Sequence, residues 1–305
     1  MNGFLSLLVT VLLSASGISQ TPAPHKSSVS KKTEKWLKEH FEYVPSGSVI
    51  MDKDTLSVQA FYMTSTEVTN GQYQEFLQDL KRKGETEKLK VAQVDSAKWT
   101  TFGRGNLETF AQYYHKHPAY AEFPVVNVSK EGAMLYCAWL TEKLDRISGG
   151  ASAFDFRLPH RAEFLRAASP IYLGQIYAWG TYELTNKEGC YLANYVHVGD
   201  QSVTRNPETG ELELVFEPYA SDHHSDGAFV TATAKSYFPN DFGFYNLNGN
   251  VAEMVGDGTT AVGGDWHSPG FDVRNQSKRT VSEPEPTTGF RVAATFLVSQ
   301  QKKSK

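Results

Sequence analysis

"NDFGFYNLNGNVAEMV", residues 240–255, is the stretch on which the reading of this chain turns. Its apolar and aromatic positions are interleaved with Asn246, Gly249, Asn250 and Glu253, and neither a helical period nor a strand alternation fits them. Oxygen donors at this spacing suit a hard cation such as calcium. Asn246 offers an amide oxygen and Glu253 a carboxylate. Gly249 lets the backbone turn so that its carbonyl can point inward, and Val251 can add a carbonyl while its side chain packs into the core. The same residues also suit a tight turn held by Asn side-chain bonds and a capped helix at "NVAEM".

The surrounding 305 residues are 40% hydrophobic and 21% charged, the balance of a globular protein with one large domain. With 15 Tyr and 18 Phe, the core is expected to be built of rings over short elements. A net charge of -4 gives a nucleic-acid partner no electrostatic support. The cationic clusters near the two ends, "KSSVSKKTEK" and "KKSK", read as solvated ends.

Residues 1–20, "MNGFLSLLVTVLLSASGISQ", carry an apolar run from Phe4 to Leu13 followed by small residues. The run is too short for a stable membrane anchor and has the length of a signal-peptide core. The expectation is an export signal cleaved near Gln20, hence a periplasmic or secreted protein with no lipid-accepting Cys after the signal. The only cysteines, Cys137 and Cys190, would then meet an oxidising compartment. Whether they are bridged depends on a distance that the sequence does not supply.

Residues 21–35 are polar, with Pro and Ser, and read as a disordered linker. The domain is placed at 36–298 and a basic tail at 299–305. "YVPSGSVIM" and "SVQAFYMTSTEVT" read as strands. "TNGQYQEFLQDLKRKG" opens on Thr69 or Asn70 as a cap and sets Tyr73, Phe76, Leu77 and Leu80 on one helical face. A second helix follows Ser129, and "FDFRLPHRAEFLRAAS" gives a short strand and a short helix. Residues 84–122 lack a clear period, and 170–290 read as short strands and loops. The class is therefore α+β with little regular secondary structure. So many loops carry an ordering cost that thin secondary structure does not offset, which favours bound metal as a clamp.

The ordered series "EVTNGQYQEFL", "FPVVNVSKEGAMLYCAWL", "FRLPHRAEFLRAA", "YAWG", "LAN", "FPNDFGFYNLNGNVAEMV", "VGGDW" and "GFRVA" closely resembles the sulfatase-modifying-factor domain, the family of the formylglycine-generating enzyme. The resemblance covers residues 43–296. It implies a compact α+β fold related to the C-type lectin fold. It also implies two calcium sites. The first matches Asn246, Gly249, Val251 and Glu253; the second matches Asn194, Tyr195, Asp226 and Ala228.

The enzyme of that family holds copper with two Cys in the segment after "GGSW". The matching segment here, "GGDWHSPGFDVRNQSKR" at 263–279, contains no Cys, and the two positions fall on Ser268 and Val273. A hydroxyl is a poor ligand for Cu(I) and an isopropyl group is none. Formylglycine synthesis, and copper with it, is therefore not expected. The resemblance places the family's groove at Asp265, Trp266, His267, Ser268, Arg274 and Arg279. Asp265, His267 and Ser268 are too close in sequence to form a hydrogen-bonded triad. The "HKH" and "HH" pairs at 115–117 and 223–224 read as surface residues, and Glu163 as a structural carboxylate tied to Arg157 or Arg166.

Two functions follow. The first is an exported, non-catalytic module that binds a protein or glycan partner in the cell envelope through the groove and the 200–225 loop. Related cysteine-free members resemble components of gliding-motility and type IX secretion machinery. The second is a non-haem metal-dependent oxidoreductase with the groove residues at its centre.

Overall fold

The computed structural model describes residues 31–102, 107–149, 154–196, 203–206, 208–210, 212–214 and 228–296. The apolar leader, residues 21–30, the 299–305 tail, Asp226, His223, His224 and most of the 200–225 loop lie outside the described residues.

The chain opens with helix α1 (Lys31–His40), then strands β1 (Phe41–Val44), β2 (Gly47–Met51), β3 (Asp54–Val58) and β4 (Phe61–Thr64). Helices α2 (Asn70–Lys83), α3 (Thr86–Ala92), α4 (Lys98–Thr101), α5 (Glu108–Tyr113) and α6 (Lys130–Ser148) follow. Strand β5 (Phe154–Arg157) and helix α7 (Arg161–Ala167) come next. The second half holds only short strands: β6 (Val203–Arg205), β7 (Leu212–Leu214), β8 (Ala252–Met254), β9 (Thr260–Val262), β10 (Lys278–Thr280), β11 (Thr288–Gly289) and β12 (Ala293–Phe296). This is the α+β fold, poor in regular structure, that the sequence implied. Among the described residues no helix is long and apolar enough to cross a membrane.

Two four-stranded sheets organise the body, in the orders β1-β4-β12-β5 and β10-β9-β8-β11. The first joins the two ends of the domain, because β12 pairs antiparallel with both β4 (Ala293↔Met63) and β5 (Phe296↔Phe154). Its alternation divides the core. Phe41, Phe156 and Ala294 pack with α2 and α6, while Phe61, Met63 and Ala293 pack with Phe164, Phe244 and Leu247 on the other side.

Local chemistry fixes the two long helices where the periodicity placed them. Thr69 Oγ1 accepts from Gln72 N while the Gln72 side chain accepts from Thr69 N, a reciprocal cap. Gly84 ends α2 in the left-handed conformation at φ 71°. Ser129 Oγ caps α6 through Gly132 N at 3.0 Å. Tyr73 and Phe76 of α2 meet Tyr136 and Trp139 of α6 at ring distances of 5.5–5.7 Å.

The structure corrects several expectations. Residues 31–35, read as linker, form the first half of α1, because Leu37 is buried and Trp36 packs on Phe41 and Phe156, which anchors the preceding turn. "SVQAFYMT" is not one strand: β3 pairs with β2 across a turn at Asp52, φ 59°, whereas β4 joins the larger sheet. Among the described residues, 84–122 hold three short helices and a 3₁₀ turn, each too brief to leave a period. "NVAEM" is strand rather than helix, since β8 pairs with β9 and β11. His115 is not a surface residue: it is 3% exposed, with Nδ1 bonded to Asn70 Oδ1 at 3.1 Å.

Candidate functional site

Residues 246–250 form a tight turn with Asn246, Gly249 and Asn250 all at positive φ, 51°, 78° and 61°. Asn tolerates that region and Gly is free in it. Gly249 is also required by space, because a Cβ there would lie 2.3 Å from the carbonyl oxygen of Asn194. That approach lets Asn250 N donate to Asn194 O at 2.8 Å while Asn194 Nδ2 donates to Asn250 Oδ1 at 3.2 Å. The two stretches assigned to separate calcium sites are thus joined side by side.

Asn250 is the hub of this region. Its Oδ1 also accepts from Ala232 N at 2.7 Å, its Nδ2 donates to Glu67 Oε1 at 2.7 Å, and its carbonyl accepts from Trp266 N. Glu67 is 1% exposed; burial pushes its carboxyl up to about 8, with Arg291 opposing the shift and Glu253 adding to it. Glu253, equally buried, is gripped by Arg291 through Nε–Oε2 at 2.6 Å and Nη2–Oε1 at 2.5 Å. Burial raises the Glu253 carboxyl and the guanidinium opposes that rise. Arg291 also donates to the carbonyls of Thr64 and Tyr245.

These residues fit a hard cation in part. Asn246 Oδ1 is buried with no hydrogen-bond partner, while its Nδ2 faces the carbonyl of Ala234 at 3.1 Å and Glu67 Oε2 at 3.4 Å. An orphaned amide oxygen beside two buried carboxyl groups, of which only Glu253 is paired with a guanidinium, is the kind of donor set such an ion uses. Glu253 itself gives both oxygens to Arg291, so Glu67 is the carboxylate nearer to Asn246 in chemical availability. Val251 is buried as expected. At the second set, Asn194 and Tyr195 are buried, Ala228 is half-buried, and Asp226 lies outside the described residues. Among the described residues no group of three His, Cys, Asp or Glu side chains could hold a metal ion, so any site here leans on amide and backbone oxygens.

The groove residues separate into two groups. Asp265 is 4% exposed and pairs with Arg279 Nη2 at 3.2 Å; burial raises its carboxyl and Arg279 opposes the rise. Arg279 also binds Glu285 and donates to Thr287 and Thr288. Asp265 Oδ1 accepts from the backbone N of His267 at 2.9 Å, and Ser268 Oγ accepts from Asp265 N at 3.3 Å. This is a turn closed by its own side chains, not a proton relay. Trp266 is buried and donates to Pro286 O, and the His267 ring lies edge-on to Phe102 at 5.1 Å. Arg274 is instead engaged outside this cluster, its guanidinium 3.4 Å from the Phe271 ring centroid.

Copper does not fit this segment. Val273 is 0% exposed and packs with Tyr177, Ala193 and Tyr195, so its position is core and supplies no donor. The Ser268 hydroxyl is spent on Asp265 N. Cys137 is buried in α6, where burial pushes its thiol up, and Cys190 is exposed; both are free thiols. Glu163 is held by Arg157 through two 2.7 Å bonds, the first of the two partners expected from sequence.

The sequence reading missed Glu67 and Arg291, and it named Asn250 in the turn without its partners. A usable signal existed for Arg291: a lone charge inside the apolar run "GFRVAATF" must be buried with a counter-charge. Glu67 and Asn250 gave none, because their roles depend on contacts across 183 residues of sequence.

Against known proteins, the chain is 23% identical to the formylglycine-generating enzyme of Bos taurus over 252 residues, 77% of this chain and 55% of that protein. It is 32% identical to the formylglycine-generating enzyme of Streptomyces coelicolor over 166 residues, 54% of this chain and 38% of that protein. The chain thus spans about half or less of the length of these relatives. Among solved structures, PvdO from Pseudomonas aeruginosa superposes with a TM-score of 0.53 at 19% identity, covering 83% of this chain and 93% of that one. CarF superposes with a TM-score of 0.52 at 18% identity, covering 83% and 97%. These two likenesses concern the fold alone. Residues 26–296 match the Sulfatase-modifying factor enzyme 1-like domain, and the chain belongs to that family.

Proposed function

We propose that this protein is an exported, non-catalytic member of its family, a calcium-stabilised module that binds a protein or glycan partner in the cell envelope. The observation that carries the reading is the side chain at position 273. Where the resemblance puts a copper ligand, Val273 is sealed in the core, and the neighbouring Ser268 closes a turn. A site with no soft donor has no hold on Cu(I). Calcium is supported by the orphaned Asn246 oxygen and by Glu67 beside it, a buried carboxyl that no guanidinium among the described residues pairs. In this role the ion would fix the 246–253 turn to the loop after β4, and Asn246 with Glu67 would supply its side-chain oxygens.

The test is elemental analysis of purified protein, combined with thermal melts and an oxygen electrode. The expected result is retained calcium, copper and iron well below one equivalent, and no oxygen uptake with thiol-containing peptides. Chelation with EGTA should lower Tm by roughly 5–10 °C, reversibly, as loss of a ligand at about a hundred times its Kd does. Stoichiometric copper or iron with oxygen uptake would replace this reading by that of a metal-dependent oxidoreductase.

A further inference from the structure

A cavity of about 820 Å³ opens beside the loop that Asn250 holds, since Ala232, whose N–H binds Asn250 Oδ1, is part of its wall. It is separate from the Asp265–Arg279 cluster, none of whose residues lines it. Among the described residues, Phe229, Phe110, Tyr120 and Phe123 form a continuous run of rings in its lining, with successive centroids 6.1, 6.1 and 5.2 Å apart. Tyr191 and Tyr237 add two more rings. Tyr237 takes a left-handed φ of 58°, an uncommon conformation for a bulky side chain and of the kind held in place where a surface is shaped for use.

The polar part of the lining is hydroxylic. Thr231 bonds to the Tyr114 hydroxyl, and Thr233 bonds to Ser236. Among the described residues the one carboxylate is that of Glu188, on a turn pinned by Asn186 Oδ1. No Lys, Arg or His lines the cavity among the described residues.

From this lining the geometry points to a binding site for a neutral oligosaccharide. The volume suits a ligand of several rings rather than a single ion. Among the described residues, an anionic ligand would meet a carboxylate and no cation to offset its desolvation. A purely apolar chain would desolvate the Glu188 carboxylate and the lone pairs that these hydroxyls keep beyond their mutual bonds. A neutral sugar satisfies both halves of the lining: its apolar C–H faces lie on the rings, and its hydroxyl edges exchange hydrogen bonds with Thr231, Thr233, Ser236 and Glu188. This inference rests on the binding-module reading and names the chemistry of its partner.

The experiment is isothermal titration of the full chain with cellohexaose, chitohexaose and maltohexaose, repeated for Phe229→Ala and Tyr191→Ala. Tyr43→Ala, at an exposed ring outside both the cavity and the groove, serves as control. The expected result is saturable binding of at least one of the three, weakened about tenfold or more by either ring deletion, with Tm unchanged and the control unaffected. No binding of any of the three up to about 10 mM overturns the inference. So does binding that both ring deletions leave intact. Neither outcome touches the module reading, which stands or falls on the metal content and oxygen uptake described above.

Discussion

Arg291 and Glu253 lock together across 38 residues of sequence, guanidinium to carboxylate at 2.5 and 2.6 Å, with both side chains out of contact with water. The pair ties β8 to the segment just before β12, and through the Arg291 bonds to the Thr64 and Tyr245 carbonyls it joins the end of β4 to the stretch that precedes β8. Breaking one partner of such a pair leaves a buried charge uncompensated, which costs about 3–5 kcal/mol. Arg291→Met should therefore destabilise by about that amount in urea denaturation. Adding Glu253→Gln to it should recover part of the loss, because the stranded charge is gone. Additive losses in the double variant would show that the pairing contributes little.

Gly249→Ala should cost about 2–4 kcal/mol, combining a non-Gly residue at φ 78° with a Cβ 2.3 Å from Asn194 O. Gly258 has a similar φ, 62°, but nothing within 4 Å of its added Cβ. Gly258→Ala should cost only about 1 kcal/mol. Equal losses at the two sites would mean that the close approach of the two Asn loops is not a constraint.

Asn246→Ala removes the orphaned oxygen proposed to face the cation. The variant should fold, with a Tm close to that of EGTA-treated wild type, and should no longer respond to EGTA. A variant as sensitive to chelation as the parent would place the ion elsewhere.

Burial pulls the His115 ring down to about 3, helped by the Lys116 charge, from an ordinary value of 6.5. Its folded pKa lies below its unfolded one, so between these two values the unfolded chain binds more protons. The contribution is fully present above about pH 6.5 and is lost progressively as pH falls toward 3. Urea midpoints for wild type and His115→Gln should diverge at neutral pH and converge in acid. Parallel curves across that window would assign the acid sensitivity to other groups.

Iodoacetamide should label Cys190 in the native protein and Cys137 only after unfolding. The first is exposed and the second is buried with its thiol pushed up. Peptide mapping by mass spectrometry reads the two sites separately.

The sequence by itself determined the α+β class, the family, and the two long helices, because those signals are local: a period of side chains, with Thr69 or Asn70 offered as one cap and Ser129 as the other. It also placed Val273 and Ser268 where sulfur is missing, since that requires only counting along a motif. The tertiary structure alone decided that "NVAEM" is a strand, because β8 exists only through its partners β9 and β11. It alone placed Glu67, Asn250 and Arg291 around the candidate cation site, and sent the Glu253 carboxylate to a guanidinium. Burial and pairing of charges depend on which distant segments share the interior, and no local pattern encodes that.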